Sequence, residues 1–436
     1  MNFLPNFSTL KQHPSIRKYF SNTSWLLGER ILRMGVSLFV GIYVARFLGP
    51  EKFGLLSYTV SFVWLFSSLA AFGLNNILVR ELVQSPEQRN KLLGTVFWLK
   101  VFGTFVMATA ITAVLQFFEE DKQTYWMIVL IALGFLFQTT NVIELCFQAQ
   151  VQSKFIVRAQ VVQLLITSIF KIYLIWIQAE LIWFAFALMM DQAVAAALFL
   201  IMYHWKIGWF PFFSFNWKRA KKLMGGAWPL IFSGMMVLMY MKIDQVMLKE
   251  MLNTKAVGDY AAAVKLCEAL YFIPMAIMAS LFPVVIEARK ESREVYENRF
   301  QKIYEMMVWG SLLVAIPISF LADWFIQILY GTNFQEAAVV LKIYIWGFVF
   351  VSLGIASSHW LVAENLEKHA LVRSFLGAIL NICINWYLIP IYGITGAAYA
   401  TLITQFFVAY IFFGFSKKTR NSFMLSTRAL SFRLIK

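Results

Sequence analysis

Apolar residues fill this chain in long runs, and most charged residues lie in short segments between those runs. A helix needs about 20 apolar residues to cross the hydrocarbon core of a bilayer, and the runs reach that length without the alternation of a membrane strand. The pattern therefore predicts an all-α integral membrane protein with about twelve spans. The predicted spans are residues 24–47, 53–74, 92–115, 124–147, 155–177, 181–203, 226–249, 258–286, 304–329, 338–361, 370–389 and 394–415.

Composition agrees with a membrane protein. The 436 residues are 60% hydrophobic and only 14% charged, whereas an ordinary soluble domain is about 25% charged. The net charge of +15 would point to nucleic acid in a soluble protein, but no nucleic-acid-binding motif occurs here. We therefore expect no nucleic-acid partner.

The positive charge is distributed unevenly over the connections. The N-terminal segment, the even-numbered connections and the C-terminal tail hold 26 Lys and Arg residues, whereas the odd-numbered connections hold only Lys52, Lys122 and Lys255. Because cytoplasmic loops collect Lys and Arg, this asymmetry predicts that both termini are cytoplasmic. The basic tails would then lie on anionic membrane lipids.

No feature predicts a metal site, a cofactor or a catalytic centre. The three cysteines, Cys146, Cys267 and Cys383, lie far apart in apolar runs, and the four histidines are scattered. No nucleotide-binding motif stands out. An intramembrane glycan polymerase or ligase is a weak alternative, because the outer connections are too short for a large catalytic loop.

The chain contains an internal repeat. RFLGPEKFGLLSY (46–58) aligns with EMLNTKAVGDYAA (250–262), which pairs Leu48 with Leu252 and Gly54 with Gly258. Two six-helix lobes related by a pseudo-two-fold axis along the membrane normal would place a substrate between them. A monomer would then suffice. The predicted parts are a basic N-terminal segment (1–23), a lobe (24–203), a basic cytoplasmic linker (204–225), a second lobe (226–415) and a basic tail (416–436).

Several ionisable residues fall inside the predicted spans. Such residues usually face a bundle interior or a water-filled cavity, so we expect a polar cavity with excess positive charge. Glu29 and Arg33, four residues apart, can pair on one helix face, as can Lys265 and Glu268. The candidate cations are Arg33, Arg30, Lys100, Lys171, Lys242 and Lys265, and the candidate coupling or gating acids are Asp244, Glu268, Glu29 and Asp191.

Four segments resemble a known family. These are ARFLGPEKFG (45–54), FGLNNILVREL (72–82), residues 242–285 and LIPIYGITGAAYATLITQ (388–405). The chain resembles the Wzx-type polysaccharide exporters, a branch of the multidrug/oligosaccharidyl-lipid/polysaccharide flippase superfamily. The resemblance covers about residues 20–415.

The resemblance implies a flippase of the bacterial inner membrane. Such a protein moves undecaprenyl-pyrophosphate-linked oligosaccharides, for O-antigen or other surface polysaccharides, by alternating access. The cations would then bind pyrophosphate, and an acid, with Asp244 preferred, would couple transport to protons or sodium. Polysaccharide polymerase and chain-length proteins are the partners implied.

Two other transport functions remain open. A multidrug or small-metabolite exporter of the same superfamily would also have twelve spans, although a cationic interior would repel organic cations. A lipid II flippase would have two further spans and an Arg-Asp pair where this chain has Val40 and Gly41. Both departures disfavour that function.

Overall fold

A computed structural model of the chain describes residues 14–118 and 121–431, and nearly all of this part is helical. The first nine helices are α1 (Pro14–Ala71), α2 (Asn75–Gln84), α3 (Arg89–Phe118), α4 (Lys122–Gln138), α5 (Val142–Ala149), α6 (Ser153–Trp176), α7 (Leu181–Lys206), α8 (Trp217–Met251) and α9 (Thr254–Leu270). The others are α10 (Phe272–Glu291), α11 (Arg293–Phe320), α12 (Ala322–Tyr330), α13 (Gln335–Tyr344), α14 (Gly347–Ala363), α15 (Glu367–Tyr392), α16 (Ile394–Ala409) and α17 (Arg420–Leu430). Residues 1–13 of the predicted N-terminal segment and 432–436 of the tail lie outside the described part.

The described helices confirm a multi-pass membrane protein. Ten are long and apolar enough to cross a membrane, or eleven if Thr332–Tyr344 and Gly347–Ala363, bent by 47°, form one span. The first of them, Trp25–Gln84, is 60 residues long and contains two of the spans predicted from the sequence. Counted as two spans, and with the bent pair counted as one, it brings the total from ten to the predicted twelve.

A glycine and a proline divide the first long helix. Gly49 has φ 69° and ψ 170°, a conformation that glycine adopts without the steric cost a side chain would bring. Pro50 follows and begins the next helix, where its missing N–H leaves no hydrogen bond unmade. The predicted boundary between spans 1 and 2 is therefore confirmed at Gly49.

Contacts within the chain divide its described part into two units. Unit 1 consists of residues 14–40 and 66–231. Its core forms where α2, α3, α5 and α7 pack together, around Leu78, Leu93 and Phe147. Phe210 and Ala220 join the same core, so the segment predicted as a linker between lobes packs as part of unit 1.

Unit 2 consists of residues 41–65 and 232–431. Its core forms between α10, α11, α14 and α17, around Met278, Tyr304, Trp360 and Leu425. The tip of the first helical hairpin, residues 41–65, contacts this unit. Asn253 caps α9 by accepting a hydrogen bond from Ala256 N at 2.9 Å, at the repeat position that corresponds to Gly49.

Candidate functional site

The first charged pair of unit 1 lies in α1. Arg33 Nε is 2.5 Å from Glu29 Oε1, which confirms the pairing predicted from their spacing. Glu29 is buried and the Arg33 side chain is 33% exposed. The guanidinium group therefore has a carboxylate partner and still retains donors that face outward.

Lys100 is the most deeply buried of the predicted cations in unit 1. Its Nζ donates to Asn75 Oδ1 and to Asn141 Oδ1, both at 2.6 Å. Asn75 begins α2, directly after a break at Phe72 and Gly73, whose φ angles are positive. Asn141 lies in the 3-10 turn that separates α4 from α5. The charge-assisted hydrogen bonds that Lys100 donates to these two amide oxygens offset part of the desolvation cost of the ammonium group.

A carboxylate absent from our candidate acids completes this polar region of unit 1. Glu144 lies beside the Gln160 amide and within electrostatic range of Glu29, Arg33 and Lys100. Two acids and two bases of unit 1 thus lie near one another. Spacing within one helix does not reveal which carboxylates other helices contribute, and the excess of positive charge in a cavity stays a prediction.

The remaining unit 1 candidates are Lys171, Asp191 and Arg30. Lys171 on α6 is within electrostatic range of Asp191 on α7, and the Asp191 backbone carbonyl accepts from Gln163 at 3.2 Å. Arg30 is exposed on α1.

In unit 2, Lys242 pairs with a carboxylate from another helix. Its Nζ lies 2.8 Å from Glu268 Oε1 of α9, and the two side chains are 21% and 26% exposed. Spacing had pointed to Lys265 as the partner of Glu268. Lys265 is exposed, and its Nζ lies 4.6 Å from the centre of the Phe53 ring.

Asp244, the preferred coupling acid, is buried in a cluster of neutral donors. Its Oδ2 accepts from the Tyr260 hydroxyl and, at 3.3 Å, from Thr401 Oγ1. Its Oδ1 accepts from Gln245 N at 2.8 Å. The Gln245 side chain in turn accepts from Ser61 Oγ at 2.8 Å. Four helices thus position one carboxylate, and we call Asp244, Tyr260 and Thr401 the acid cluster.

Helix α15 carries a row of polar residues beside the acid cluster. Asn385 donates to Asn381 at 2.9 Å, and Asn381 donates to Thr404 of α16 at 3.4 Å. Arg373 lies about two turns before Asn381 on the same helix. We had counted Arg373 as a loop cation, which is wrong because α15 begins at Glu367 and Arg373 is only 8% exposed.

Arg373 makes few polar contacts for a buried cation. Its Nη2 donates to Ser358 Oγ at 2.9 Å, while Nε and Nη1 have no acceptor among the residues that the structure describes. Its guanidinium carbon lies 5.8 Å from the centre of the Phe413 ring. A buried guanidinium group with two nitrogen atoms that lack acceptors would attract an anion.

The two ion pairs can bind anions, and the buried carboxylate of Asp244 can bind a proton or a small cation. Within the described ranges, no three His, Cys, Asp or Glu side chains are grouped so that they could hold a metal ion, and the expectation of no metal stays a prediction. The partly exposed pairs Arg33–Glu29 and Lys242–Glu268 can exchange a carboxylate partner for another anion. The buried Asp244 can be neutralised by a small cation or a proton.

Two family models and several known proteins are similar to this chain in sequence. The polysaccharide biosynthesis protein family matches residues 20–289, and the MatE family matches residues 229–387. An uncharacterized membrane protein of Methanocaldococcus jannaschii is 24% identical over 91% of this chain and 83% of its own length. The probable low-salt glycan biosynthesis flippase Agl15 of Haloferax volcanii is 23% identical, over 43% of this chain and 40% of its own length.

A solved structure shows the same fold. An inward-facing multidrug resistance MATE transporter of the MOP superfamily superposes with a TM-score of 0.71 and covers 91% of this chain and 96% of its own. Its sequence is only 13% identical, so the likeness concerns the fold alone. By the match over residues 20–289, the chain belongs to the polysaccharide biosynthesis protein family.

Proposed function

We propose that this protein is a flippase for lipid-linked oligosaccharides, of the undecaprenyl-pyrophosphate type, which it carries across the membrane by alternating access. The observation that carries the proposal is that each unit holds a partly exposed ion pair beside a buried polar network. The pairs are Arg33–Glu29 in unit 1 and Lys242–Glu268 in unit 2. The networks centre on Lys100 and Asp244.

The ion pairs supply reversible sites for phosphate. A pyrophosphate oxygen can take the place of the carboxylate at Lys242 or Arg33. The hydrogen bond is charge-assisted both before and after this exchange. The carboxylate then repels the incoming anion enough to keep binding reversible. A carrier needs such moderate affinity, because its substrate must also leave.

The acid cluster supplies a site for coupling. Asp244 has hydrogen-bond donors from Tyr260, Thr401 and Gln245, and no Lys or Arg lies within ion-pair distance of it among the described residues. Taking up a proton or sodium ion would remove a buried charge and so favour a different packing of these helices. Export of the anion is also downhill in an inside-negative potential, by about 2.3 kcal/mol per charge per 100 mV.

The test is complementation of a strain that lacks this gene. Wild type, Lys242→Ala and Arg33→Ala are expressed at equal membrane levels, and surface glycan and cytoplasmic lipid-linked oligosaccharide are measured. We expect deletion to remove surface glycan and accumulate the lipid-linked units, and both variants to restore it poorly. Lys255→Ala is the matched control, because it breaks an exposed pair with Glu336 at 3.5 Å and should complement fully. Full complementation by both site variants would refute the phosphate assignment.

Export of drugs or small metabolites is the second candidate function, favoured by the MatE match over residues 229–387. It predicts that deletion changes drug sensitivity and leaves surface glycan intact. Measuring both phenotypes in the same deletion strain separates the two functions.

A further inference from the structure

The segment between α7 and α8 has two distinct faces. Residues 207–216 form turns, with a hydrogen bond from Ser214 N to Pro211 O at 3.1 Å. Phe210 and Phe212 point inward, and their rings stack edge-on against Phe97 of α3 at 5.6 and 5.2 Å. The other aromatic residues of the segment point outward.

The inner face fixes this segment to α3. Trp98 Nε1 donates to Phe212 O at 2.7 Å, and Thr95 Oγ1 accepts from Asn216 N at 3.0 Å. A β-carbon on Gly94 would lie 2.6 Å from Pro211 O, so only glycine permits this backbone approach. The segment is thus a fixed part of unit 1.

The outer face carries aromatic rings and lysines. Phe213, at the corner of the turn, is 99% exposed and Trp209 is 86% exposed. The exposed side chains, which we call the linker surface, are Trp205, Lys206, Trp209, Phe213, Phe215, Trp217, Lys218, Lys221 and Lys222. Residues 204–225 contain no Asp or Glu.

Two arguments identify what covers this surface. Helices α7 and α8, which flank the segment, are both candidate membrane spans, so its ends lie at the boundary between lipid and water. Trp and Phe beside Lys, without acids, match the headgroup region of a membrane that contains anionic lipids. A soluble partner would have to reach the same rings at the level of the headgroups.

We propose that the linker surface binds the anionic lipid surface of the membrane, with Trp209 and Phe213 inserted at the level of the headgroups and the lysines on lipid phosphates. The attachment to α3 makes it a rigid anchor that sets the depth of unit 1 in the bilayer. This inference does not depend on which substrate the protein carries.

The test places a fluorescent label at the tip of the turn. Phe213→Cys is labelled in the full-length protein with Cys383→Ala, because Cys146 and Cys267 are buried. The protein is reconstituted in phosphatidylcholine vesicles with and without phosphatidylglycerol. Iodide measures exposure to water, and nitroxide lipids measure depth. The control label replaces Lys122, which is polar and exposed.

We expect the label at position 213 to be several-fold less quenched by iodide than the label at position 122, and to be quenched by nitroxide near the headgroup. Phosphatidylglycerol should increase this protection, and Lys218→Gln with Lys221→Gln and Lys222→Gln should abolish the increase. Equal iodide quenching at both positions in both vesicles would overturn the proposal. Protection that appears only in native membranes would also overturn it and would indicate a protein partner.

Discussion

Gly54 and Gly258 meet at a helix crossing in unit 2 where neither position has room for a β-carbon. A β-carbon on Gly54 would lie 2.7 Å from Gly258 N and closer still to Thr254 O, and one on Gly258 would overlap Pro50 O. The sequence repeat pairs these same two glycines. The two copies of the motif therefore contact each other through equivalent residues.

Gly258→Ala should strongly destabilise the protein. The added methyl group meets backbone atoms, which cannot rotate away, and overpacking of this kind costs about 1–3 kcal/mol or more. The measurement is the thermal unfolding midpoint of the purified protein in detergent. Gly310→Ala is the control, because nothing lies within 4 Å of a β-carbon there, and it should be neutral or slightly stabilising. If both variants melt at the same temperature, the close crossing is not present.

Asp244→Asn should abolish transport without preventing folding. The amide has nearly the same shape and can still accept from Tyr260 and Thr401, but it does not become charged. Tyr260→Phe should be milder on transport and cost about 1.5–3 kcal/mol of stability, since it removes one hydrogen bond to a charged group. Surface glycan and thermal midpoints are measured for both variants. Wild-type transport by Asp244→Asn would exclude this acid from coupling.

Glu268→Gln should strengthen the binding of an anion at Lys242. The pair is partly exposed, so losing the competing carboxylate should tighten binding by roughly 1.4–5-fold, which corresponds to about 0.2–1 kcal/mol. Binding of inorganic pyrophosphate to the purified protein can be measured by calorimetry. Glu336→Gln, which removes the partner of exposed Lys255, should leave binding unchanged. Weaker binding in Glu268→Gln would contradict the exchange of partners at Lys242.

Lys100→Met should destabilise unit 1. The substitution leaves the Asn75 and Asn141 carbonyl oxygens without their donor, at about 1–3 kcal/mol for each unsatisfied group. It also removes one of the two cations near Glu144, the other being Arg33. The thermal midpoint should fall well below that of Lys122→Met, an exposed control. An unchanged midpoint would mean that the ammonium group contributes nothing net to stability.

The sequence was informative where structure depends on local spacing. The Glu29–Arg33 pair follows from two residues four apart on one helix, and the break at Gly49 follows from Gly-Pro between two apolar runs. Partners from different helices could not be predicted, because they depend on how each helix is rotated. The ion pair between Glu268 of α9 and Lys242 of α8 is one that spacing along a single helix did not indicate.

Buried charges were also hard to predict because the sequence does not show where each helix begins. Arg373 lies near the end of an apolar run and looked like a loop residue, yet the helix extends past it to Glu367. The surroundings of Glu144 could not be predicted, because its neighbours Gln160 and Lys100 come from α6 and α3. Charge counts along the sequence predicted the membrane class well and the local charge balance poorly.

The ammonium group of Lys100 forms hydrogen bonds at two helix interruptions, one before α2 and one between α4 and α5. The break before Asn75 and the turn at Asn141 share this donor, so neither can open without leaving a polar group unsatisfied in an apolar setting. The backbone amides around both interruptions should consequently exchange hydrogen for deuterium together, at a single rate. Unit 1 would then respond to a bound substrate as one cooperative body.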